Sequence, residues 1–296
     1  METNPQDKKD NVICTFWDKI LTVPQYLIPQ HWLSVMMHGF TRCQLHWLKN
    51  LQIRFVCWRF KVNREEAVTA DIEAYPSFNA FFTRQLRDGV RPVAEGEEVV
   101  SSPVDGFVSQ LGKIEQGRIV QAKGQDYSVV ELLGGNTELA AQFERGQFAT
   151  LYLSPRDYHR IHMPLAGQLQ SMRYVPGKLF SVSPRTACTV PRLFARNERV
   201  VTVFDTKHGP MALVLVGAIF VGSMETVWSG QITPPYGSEI RDWEYDGDSA
   251  VSLAKGEEMG RFNMGSTVVI LLPSDCPAFK SDWQPGMNIR LGQAMT

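Results

Sequence analysis

Several features are scarce in this sequence of 296 residues. Its five cysteines show no CxxC spacing, which argues against a zinc site and predicts reduced thiols rather than a disulfide framework. No apolar run reaches the roughly 18 residues that a membrane-spanning helix needs. The polar N-terminus has no apolar segment behind it, so a signal peptide is not expected. Because the formal net charge is only −1, nucleic acid is not expected as a partner.

Acidic residues are missing from one long stretch. Between Lys19 and Arg64 there is no Asp or Glu, while basic and aromatic residues alternate there: Arg42, Lys49, Arg54, Arg59, Lys61, Trp32, Trp47, Trp58, Phe40, Phe55 and Phe60. Basic residues mixed with Trp, Phe and Leu are typical of a segment that lies in a membrane interface and contacts anionic phospholipid. An ordinary helical lobe packed on the rest of the protein is the alternative.

The remaining pattern predicts an α+β protein. Residues 12–62 predict helices that are broken at Pro24 and Pro29, and residues 77–86 predict a short helix capped by Ser77. From residue 99 onward, short β-like runs alternate with turns: 106–114, 118–122, 148–153, 167–174, 200–205, 211–221, 225–232 and 266–272, with one helical insert at 129–143. We therefore expect a helical, basic-aromatic region at 1–70 and an antiparallel, β-rich domain at 71–296.

A Gly-Ser bond near the C-terminus carries the most informative chemistry. Ser266 follows Gly265 and precedes the apolar run 268–272. Since glycine leaves its own carbonyl unshielded, attack by Ser266 on the Gly265 carbonyl is an intramolecular reaction favoured by proximity. A serine needs a base, usually a histidine oriented by a carboxylate, and Asp105, His162 and Ser266 supply these three types. The G-x-S-x-G elbow of hydrolases is absent here.

Two histidines stand in a cluster of charged residues. His159 and His162 would share a helix face but point to opposite sides of a strand. Arg156, Asp157 and Arg160 are their neighbours, so the cluster suits proton transfer and anion binding. No HExxH motif and no Cys/His pairing is present, and a metal is therefore not expected.

Nine short segments carry a resemblance that covers nearly the whole chain: 77–82, 84–87, 91–92, 102–106, 121–124, 152–164, 197–199, 216–218 and 265–267. In this order and spacing they resemble the bacterial (prokaryotic type I) family of pyruvoyl-dependent phosphatidylserine decarboxylases. Met264 is a conservative departure, since leucine often precedes the family's Gly-Ser-Thr.

The resemblance implies a self-processing enzyme, with 71–296 as its catalytic domain. By matching position, Asp105, His162 and Ser266 are the self-cleavage triad, and Ser266 attacks Gly265. Cleavage then gives a β chain (1–265) and an α chain (266–296), and Ser266 becomes a covalent pyruvoyl group, the cofactor. That ketone condenses with the amine of phosphatidylserine and is the electron sink when carbon dioxide leaves, giving phosphatidylethanolamine. His159 is the expected proton donor, with His162 as the alternative.

The resemblance also implies a location and partners. We expect a peripheral membrane protein on the cytoplasmic face of the inner membrane, which meets phosphatidylserine at an anionic phospholipid surface. Its own β and α chains stay together, and a homodimer of the αβ unit is compatible with this picture. Arg156 and Arg160 are candidates for the phosphate by charge alone.

Two rival interpretations remain on the residues themselves. One is a membrane-associated serine hydrolase that uses Ser266, His162 and Asp105. The other is a non-catalytic, lipid-binding β-domain whose histidines are satisfied core residues.

Overall fold

The computed structural model describes residues 16–122, 124–220, 223–263 and 265–296. Its N-terminal part is helical, with α1 (Phe16–Thr22), α2 (Pro24–Leu27), α3 (Gln30–Thr41) and α4 (His46–Phe60). Pro24 begins α2 and Pro29 directly precedes α3, because proline is tolerated only where a helix starts. The predicted helices are thus present over the described part of 12–62.

A short helix, α5 (Phe78–Phe82), follows. The Ser77 hydroxyl caps it by accepting a hydrogen bond from the Ala80 N–H at 3.2 Å. The prediction of a helix as far as residue 86 is wrong. The chain becomes extended there because Leu86 forms a β-bridge with Ala67.

The rest of the chain is β-rich. Its strands are β1 (Gly106–Lys113), β2 (Arg118–Ala122), β3 (Gln125–Ser128), β4 (Gln147–Leu153), β5 (Arg160–His162), β6 (Gly167–Val175), β7 (Arg199–Thr206), β8 (Gly209–Val216), β9 (Met224–Thr226), β10 (Gly230–Thr233), β11 (Arg241–Glu244), β12 (Val251–Leu253), β13 (Glu258–Phe262), β14 (Ser266–Leu272) and β15 (Asn288–Ile289). The large sheet has the order β11-β6-β7-β8-β14-β4-β1-β15, with β12 also paired to β6. A smaller sheet has the order β10-β9-β13-β5, and β2 pairs with β3. The ladders between these strands are antiparallel, so the α+β prediction is confirmed.

Four short helices cover one face of the large sheet: α6 (Val129–Leu132), α7 (Thr137–Ala141), α8 (Pro184–Thr189) and α9 (Leu193–Arg196). The helical insert expected at 129–143 is split into α6 and α7. Gly134 and Gly135 separate them with φ values of +70° and +89°, a conformation that ends a helix. The run expected at 225–232 is likewise two strands, β9 and β10, joined by a turn.

Both faces of the large sheet are buried. One face packs on the smaller sheet, through residues such as Leu151, Val268 and Phe262. The other packs under the short helices, through residues such as Val269 and Phe194. Every residue of β14 is therefore buried, which explains why its sequence reads as a continuous apolar run.

Helices α3 and α4 have an inverted pattern of exposure. Helix α4 buries Lys49, Asn50 and Ile53. It exposes large apolar side chains instead: Trp47, Leu51, Phe55 and Trp58. Helix α3 similarly buries Gln30, Ser34 and Thr41 while exposing Trp32, Val35, Met36 and Phe40. A helical lobe packed by its aromatic residues would show the opposite pattern.

Polar side chains dock these helices on the β-rich part. The Leu179 N–H donates to Gln30 Oε1 at 2.7 Å, and the Phe220 N–H donates to Ser34 Oγ at 3.2 Å. Among the described helices, none is long and apolar enough to cross a membrane. The division of the chain near residue 70 stays a prediction.

The cysteines differ in state. Cys43, Cys57 and Cys276 are free thiols, as expected. Cys188 is disulfide-bonded, so the prediction of reduced thiols is wrong at this position. Disulfide formation depends on distance in the fold and not on spacing in the sequence.

Candidate active site

Asp105 and the Gly265-Ser266 bond lie at one end of the large sheet. Strand β4 lies between β1 and β14, and Leu153 at its end pairs with Ser266 at the start of β14. Asp105 directly precedes β1, and Phe107 pairs with Tyr152 on the other side of β4. Antiparallel pairing therefore brings Asp105 and the Gly265-Ser266 bond to the same end of these strands, although 160 positions separate Asp105 from Gly265 in the chain.

Ser266 is fully buried at the entrance of β14. Its Oγ has no hydrogen-bond partner, which is unusual because a buried hydroxyl ordinarily finds one. A side chain added at Gly265 would place its Cβ 3.3 Å from the Leu153 carbonyl oxygen. A side chain at this position would therefore be tight, and the Leu153 backbone would have to shift slightly to admit it. The arrangement places the Ser266 hydroxyl, which has no hydrogen-bond partner, next to the Gly265 carbonyl, which no side chain of its own residue shields.

His159 is the histidine that faces this bond. The same Cβ position on Gly265 lies 3.5 Å from His159 Nε2, and this nitrogen is buried without a partner. Nδ1 is 2.8 Å from the Asp157 carbonyl oxygen; since a carbonyl only accepts, Nδ1 carries the proton and Nε2 is a free acceptor. The ring packs on Phe82, with 4.1 Å between centroids. Burial lowers the pKa of His159 to about 3, so the imidazole is neutral.

His162 and Asp105 have other partners. His162 Nδ1 donates to the Gly256 carbonyl at 2.8 Å, and its Nε2 accepts from the Tyr158 hydroxyl at 3.3 Å. Burial lowers the pKa of His162 as well. Asp105 accepts two short hydrogen bonds from Arg91, at 2.8 and 2.7 Å, and one from the Leu291 N–H at 2.8 Å. No hydrogen bond joins any two of the described residues Asp105, His162 and Ser266. The triad therefore stays a prediction.

Asn263 anchors the chain just before the candidate cleavage bond. Its Nδ2 donates to Ser223 Oγ and to Glu225 Oε1, both at 2.7 Å, and its Oδ1 accepts from Asn79 Nδ2 at 3.0 Å. The backbone is held too, since the Phe262 N–H donates to the His159 carbonyl at 3.0 Å. Sequence reasoning did not find this network, because its members come from four separate segments.

Glu198 is a second residue that sequence reasoning missed. It is fully buried, with Oε1 accepting from the Tyr174 hydroxyl at 2.5 Å and Oε2 without a partner. The Gly217 N–H donates to the Glu198 carbonyl, and the neighbouring Val216 pairs with Thr267. Glu198 therefore lies two strands from Ser266. Burial raises its pKa to about 7. Segment 197–199 was part of the resemblance, but nothing in it indicated a buried, half-satisfied carboxyl.

Comparison with known proteins decides the family. The family model described as phosphatidylserine decarboxylase matches residues 78–296. The phosphatidylserine decarboxylase proenzyme of Nitrosococcus oceani is 56% identical over 278 residues, which are 94% of this chain and 91% of that protein. This chain belongs to the phosphatidylserine decarboxylase family.

Further phosphatidylserine decarboxylase proenzymes agree. That of a Polaromonas species is 54% identical and covers 92% of this chain and 96% of its own length. That of Pseudomonas aeruginosa is 51% identical, with 95% and 98% covered. A second family model, described as PSD, matches residues 20–61, the helical region. The resemblance seen in the sequence is confirmed, and so is the expectation of a carboxy-lyase. The serine hydrolase interpretation is not favoured.

The structure also bears on metals. Within its described part, no three His, Cys, Asp or Glu side chains are grouped closely enough to hold a metal ion.

Proposed function

We propose that this chain is a pyruvoyl-dependent phosphatidylserine decarboxylase that matures by cutting itself between Gly265 and Ser266. One observation carries the proposal: the Ser266 hydroxyl is buried without a partner directly after Gly265, and the free His159 Nε2 faces the same bond. The relatives, all named proenzymes, support the same conclusion.

The residues around Ser266 fit a pyruvoyl group. Conversion removes a buried hydroxyl that has no hydrogen-bond partner, and His159 Nε2 already lies beside the position. A pyruvoyl group there would supply a ketone that binds the substrate amine and accepts electrons as carbon dioxide leaves.

His159 can carry the proton that this reaction needs. The substrate amine is an ammonium in water and must lose a proton before it can act as a nucleophile. Nε2 is a free acceptor, and Nδ1 is held by the Asp157 carbonyl, so the ring can take that proton without turning. Because burial lowers the pKa of His159 to about 3, the protonated ring forms only transiently and is a strong proton donor. The same proton is then available for the α-carbon after carbon dioxide has left. His159 thus begins as a base and ends as the proposed proton donor.

His162 is proposed as the base for self-cleavage, with Asp105 and Ser266. Its Nε2 accepts only a long bond from Tyr158, 3.3 Å, which a serine hydroxyl can replace. In the uncut chain the Gly256 carbonyl fixes the tautomer of His162. The role of Asp105 is then electrostatic: burial lowers the pKa of His162, and the negative charge of Asp105 opposes this, with a smaller effect than the Gly256 carbonyl and Glu258.

Intact mass spectrometry tests the proposal. The purified chain should give two fragments split after residue 265, with the smaller lighter by one ammonia than a peptide beginning with Ser266. Ser266→Ala should stay uncut. His162→Ala should also stay uncut, whereas His159→Ala should be cut but fail to decarboxylate phosphatidylserine. A single full-length mass from folded, active protein would contradict self-cleavage. If only the His159 variant stayed uncut, the two histidines would exchange roles.

We also propose that the inverted helices hold the protein on the membrane. Exposed large apolar side chains concentrate on α1 to α4; Leu27, Trp58 and Trp17, for example, are 84%, 75% and 69% exposed. Such a surface is costly in water and is stabilised at a bilayer interface. The stretch from Lys19 to Arg64 has no acidic residue, which favours an anionic leaflet. The cytoplasmic face of the inner membrane and a homodimer of the αβ unit stay predictions.

Vesicle sedimentation tests the membrane proposal. Trp47→Ser with Trp58→Ser should lower partitioning into phosphatidylglycerol vesicles by about a hundredfold, since each buried aromatic contributes roughly 1.5 kcal/mol or more. Val120→Ser is the matched control, because Val120 is 46% exposed but lies on β2, outside the helices α1 to α4. If the parent, the double Trp variant and the Val120→Ser control partition equally, the membrane contact lies elsewhere.

A further inference from the structure

A polar cavity of about 450 Å³ opens beside Asp105. The end of α4, the segment after α5, the start of β1 and strand β15 contribute to its wall. Five of its side chains are cationic: Lys61, Arg84, Arg91, Arg156 and Arg290. Three are carboxylates, Glu66, Asp105 and Asp157. Positive charge is therefore in excess.

The carboxylates of the cavity are already engaged. Arg91 binds both Glu66 and Asp105, each at 2.7 Å. Asp157 accepts from the Ser154 N–H at 2.7 Å and from the Ser154 hydroxyl at 2.6 Å. The nearest Arg156 nitrogen is 3.6 Å from Asp157, which is a weak contact. The anions of the wall therefore do not account for its remaining cations.

Arg84 is the cation that most needs a partner. It is only 4% exposed, and no carboxylate of the described residues forms an ion pair with it. Its Nε is buried without a partner, and its Nη2 makes one long bond, 3.4 Å, to the Arg156 carbonyl. Removing a guanidinium from water is unfavourable unless an anion or good acceptors replace the water. Apart from that bond, the guanidinium lies over the Phe81 ring, with Cζ 5.3 Å from the ring centroid, which does not replace an anion. A buried arginine on a cavity wall without a carboxylate partner thus indicates an anionic ligand.

We propose that Arg84, with Arg156, binds the phosphodiester of the phospholipid substrate. This inference rests on the proposed decarboxylase function and assigns the cavity as its headgroup phosphate site. The guanidinium fork suits two phosphate oxygens at once. Arg160, the other arginine expected from charge, is engaged instead, since Nη1 contacts Glu258 at 2.7 Å and Nε donates to the Thr83 carbonyl.

The chemistry of decarboxylation favours phosphate over carboxylate as the ligand of Arg84. Negative charge leaves the carboxylate as carbon dioxide forms, so a cation bound there would stabilise the substrate more than the transition state. The phosphodiester keeps its charge throughout the reaction. A cation bound there holds the substrate in place without opposing the chemical step.

The position of the cavity agrees with this assignment. Asp105 and Gly106 in its wall are separated from β14 by β4 alone, a distance of about 10 Å across two strand spacings. Only a few bonds separate the phosphorus of the headgroup from the reacting α-carbon. On the other side, Lys61 follows α4, whose exposed Phe55 and Trp58 form part of the proposed membrane surface. A lipid headgroup entering from the bilayer would reach Arg84 before Ser266.

Binding of soluble headgroups to the uncut Ser266→Ala protein tests the site without relying on turnover. Glycerophosphoethanolamine has the phosphodiester but no carboxylate, and serine has the carboxylate but no phosphate. Arg84→Gln should weaken binding of glycerophosphoethanolamine by about tenfold or more and leave serine binding unchanged. Arg87→Gln is the matched control, since Arg87 is exposed three residues further on and does not line the cavity. Arg84→Lys should recover only part of the affinity, because an ammonium lacks the planar fork.

Several results would overturn the proposal. Unchanged binding of glycerophosphoethanolamine to Arg84→Gln would do so, as would a loss confined to ligands with a carboxylate. Inorganic phosphate binding as tightly as the phosphodiester would show a general anion site. If Arg84→Gln does not fold, the half-exposed Arg156→Gln carries the same test. In cleaved protein, Arg84→Gln should raise KM for dispersed phosphatidylserine by at least tenfold. Normal turnover with an unchanged KM would reject only the phosphate site, whereas no turnover in the unmodified protein would reject the decarboxylase function.

Discussion

Glu198→Gln should change how the stability of the fold depends on pH. The Glu198 carboxyl is fully buried, with one oxygen bonded to Tyr174 and the other without a partner. Burial raises its pKa from 4.5 to about 7. Between these two values the folded protein keeps a proton that the unfolded chain has lost. The stabilising effect of that proton is complete below pH 4.5 and is lost as the pH rises through 7.

The magnitude follows from the size of the shift. One pKa unit corresponds to 1.36 kcal/mol, so a carboxyl shifted from 4.5 to about 7 costs about 3 kcal/mol of unfolding free energy at pH 8. Part of this cost, about 1 kcal/mol, is already present at pH 5. Glutamine is neutral at both pH values, has nearly the same shape and can still accept from Tyr174. The difference in unfolding free energy between Glu198→Gln and its parent should therefore shift by about 2 to 3 kcal/mol in favour of the variant when the pH is raised from 5 to 8.

Denaturant unfolding followed by tryptophan fluorescence measures this difference. Both proteins should carry Ser266→Ala, so that each is a single uncut chain at every pH. Glu144→Gln, which removes an exposed carboxylate, is the matched control for the loss of one negative charge. Parallel stability curves for Glu198→Gln and its parent from pH 5 to pH 8 would refute the reasoning.

Two further predictions concern the edge of the sheet that holds the site, and both are checked by thermal or denaturant unfolding in the Ser266→Ala background. Gly106→Ala should destabilise the fold by about 4 kcal/mol, because its Cβ would lie 2.1 Å from the Tyr152 carbonyl oxygen. The control Gly117→Ala, with open space around it, should cost only about 1 kcal/mol. Similar losses of stability at both positions would contradict a clash at Gly106. Arg91→Met should cost about 3 kcal/mol because it leaves Asp105 and Glu66 without their shared cation. Adding Asp105→Asn should recover part of that loss, and no recovery would show that the ion pair is not the cause.

The inverted helices show how far composition alone can be interpreted. Basic and aromatic residues without acidic ones were compatible with either a membrane interface or a packed lobe. The two alternatives differ in which side chains face outward, and that depends on where the helices dock. Because Gln30 and Ser34 bond to the β-rich part, the polar face of α3 is turned inward and its apolar face outward.

The sequence by itself determined the features that depend on neighbouring residues or on a local pattern. The strand 266–272 was predicted with its observed bounds, because a fully buried central strand is apolar on both faces. The cap of α5 by Ser77 was predicted because capping is a local hydrogen bond. The family was also recognisable, since its motifs are short segments in a set order.

Only the tertiary structure decided which of these residues meet. A spacing of three left open whether His159 or His162 would face Ser266. The answer depends on β5 joining the smaller sheet and on Phe262 holding His159 in place. Likewise, charge alone suggested Arg160 as a phosphate ligand and did not suggest Arg84, because Glu258, the partner that engages Arg160, is 98 residues away in the chain. Contacts between distant segments are set by strand order and burial, and no local pattern in the sequence records them.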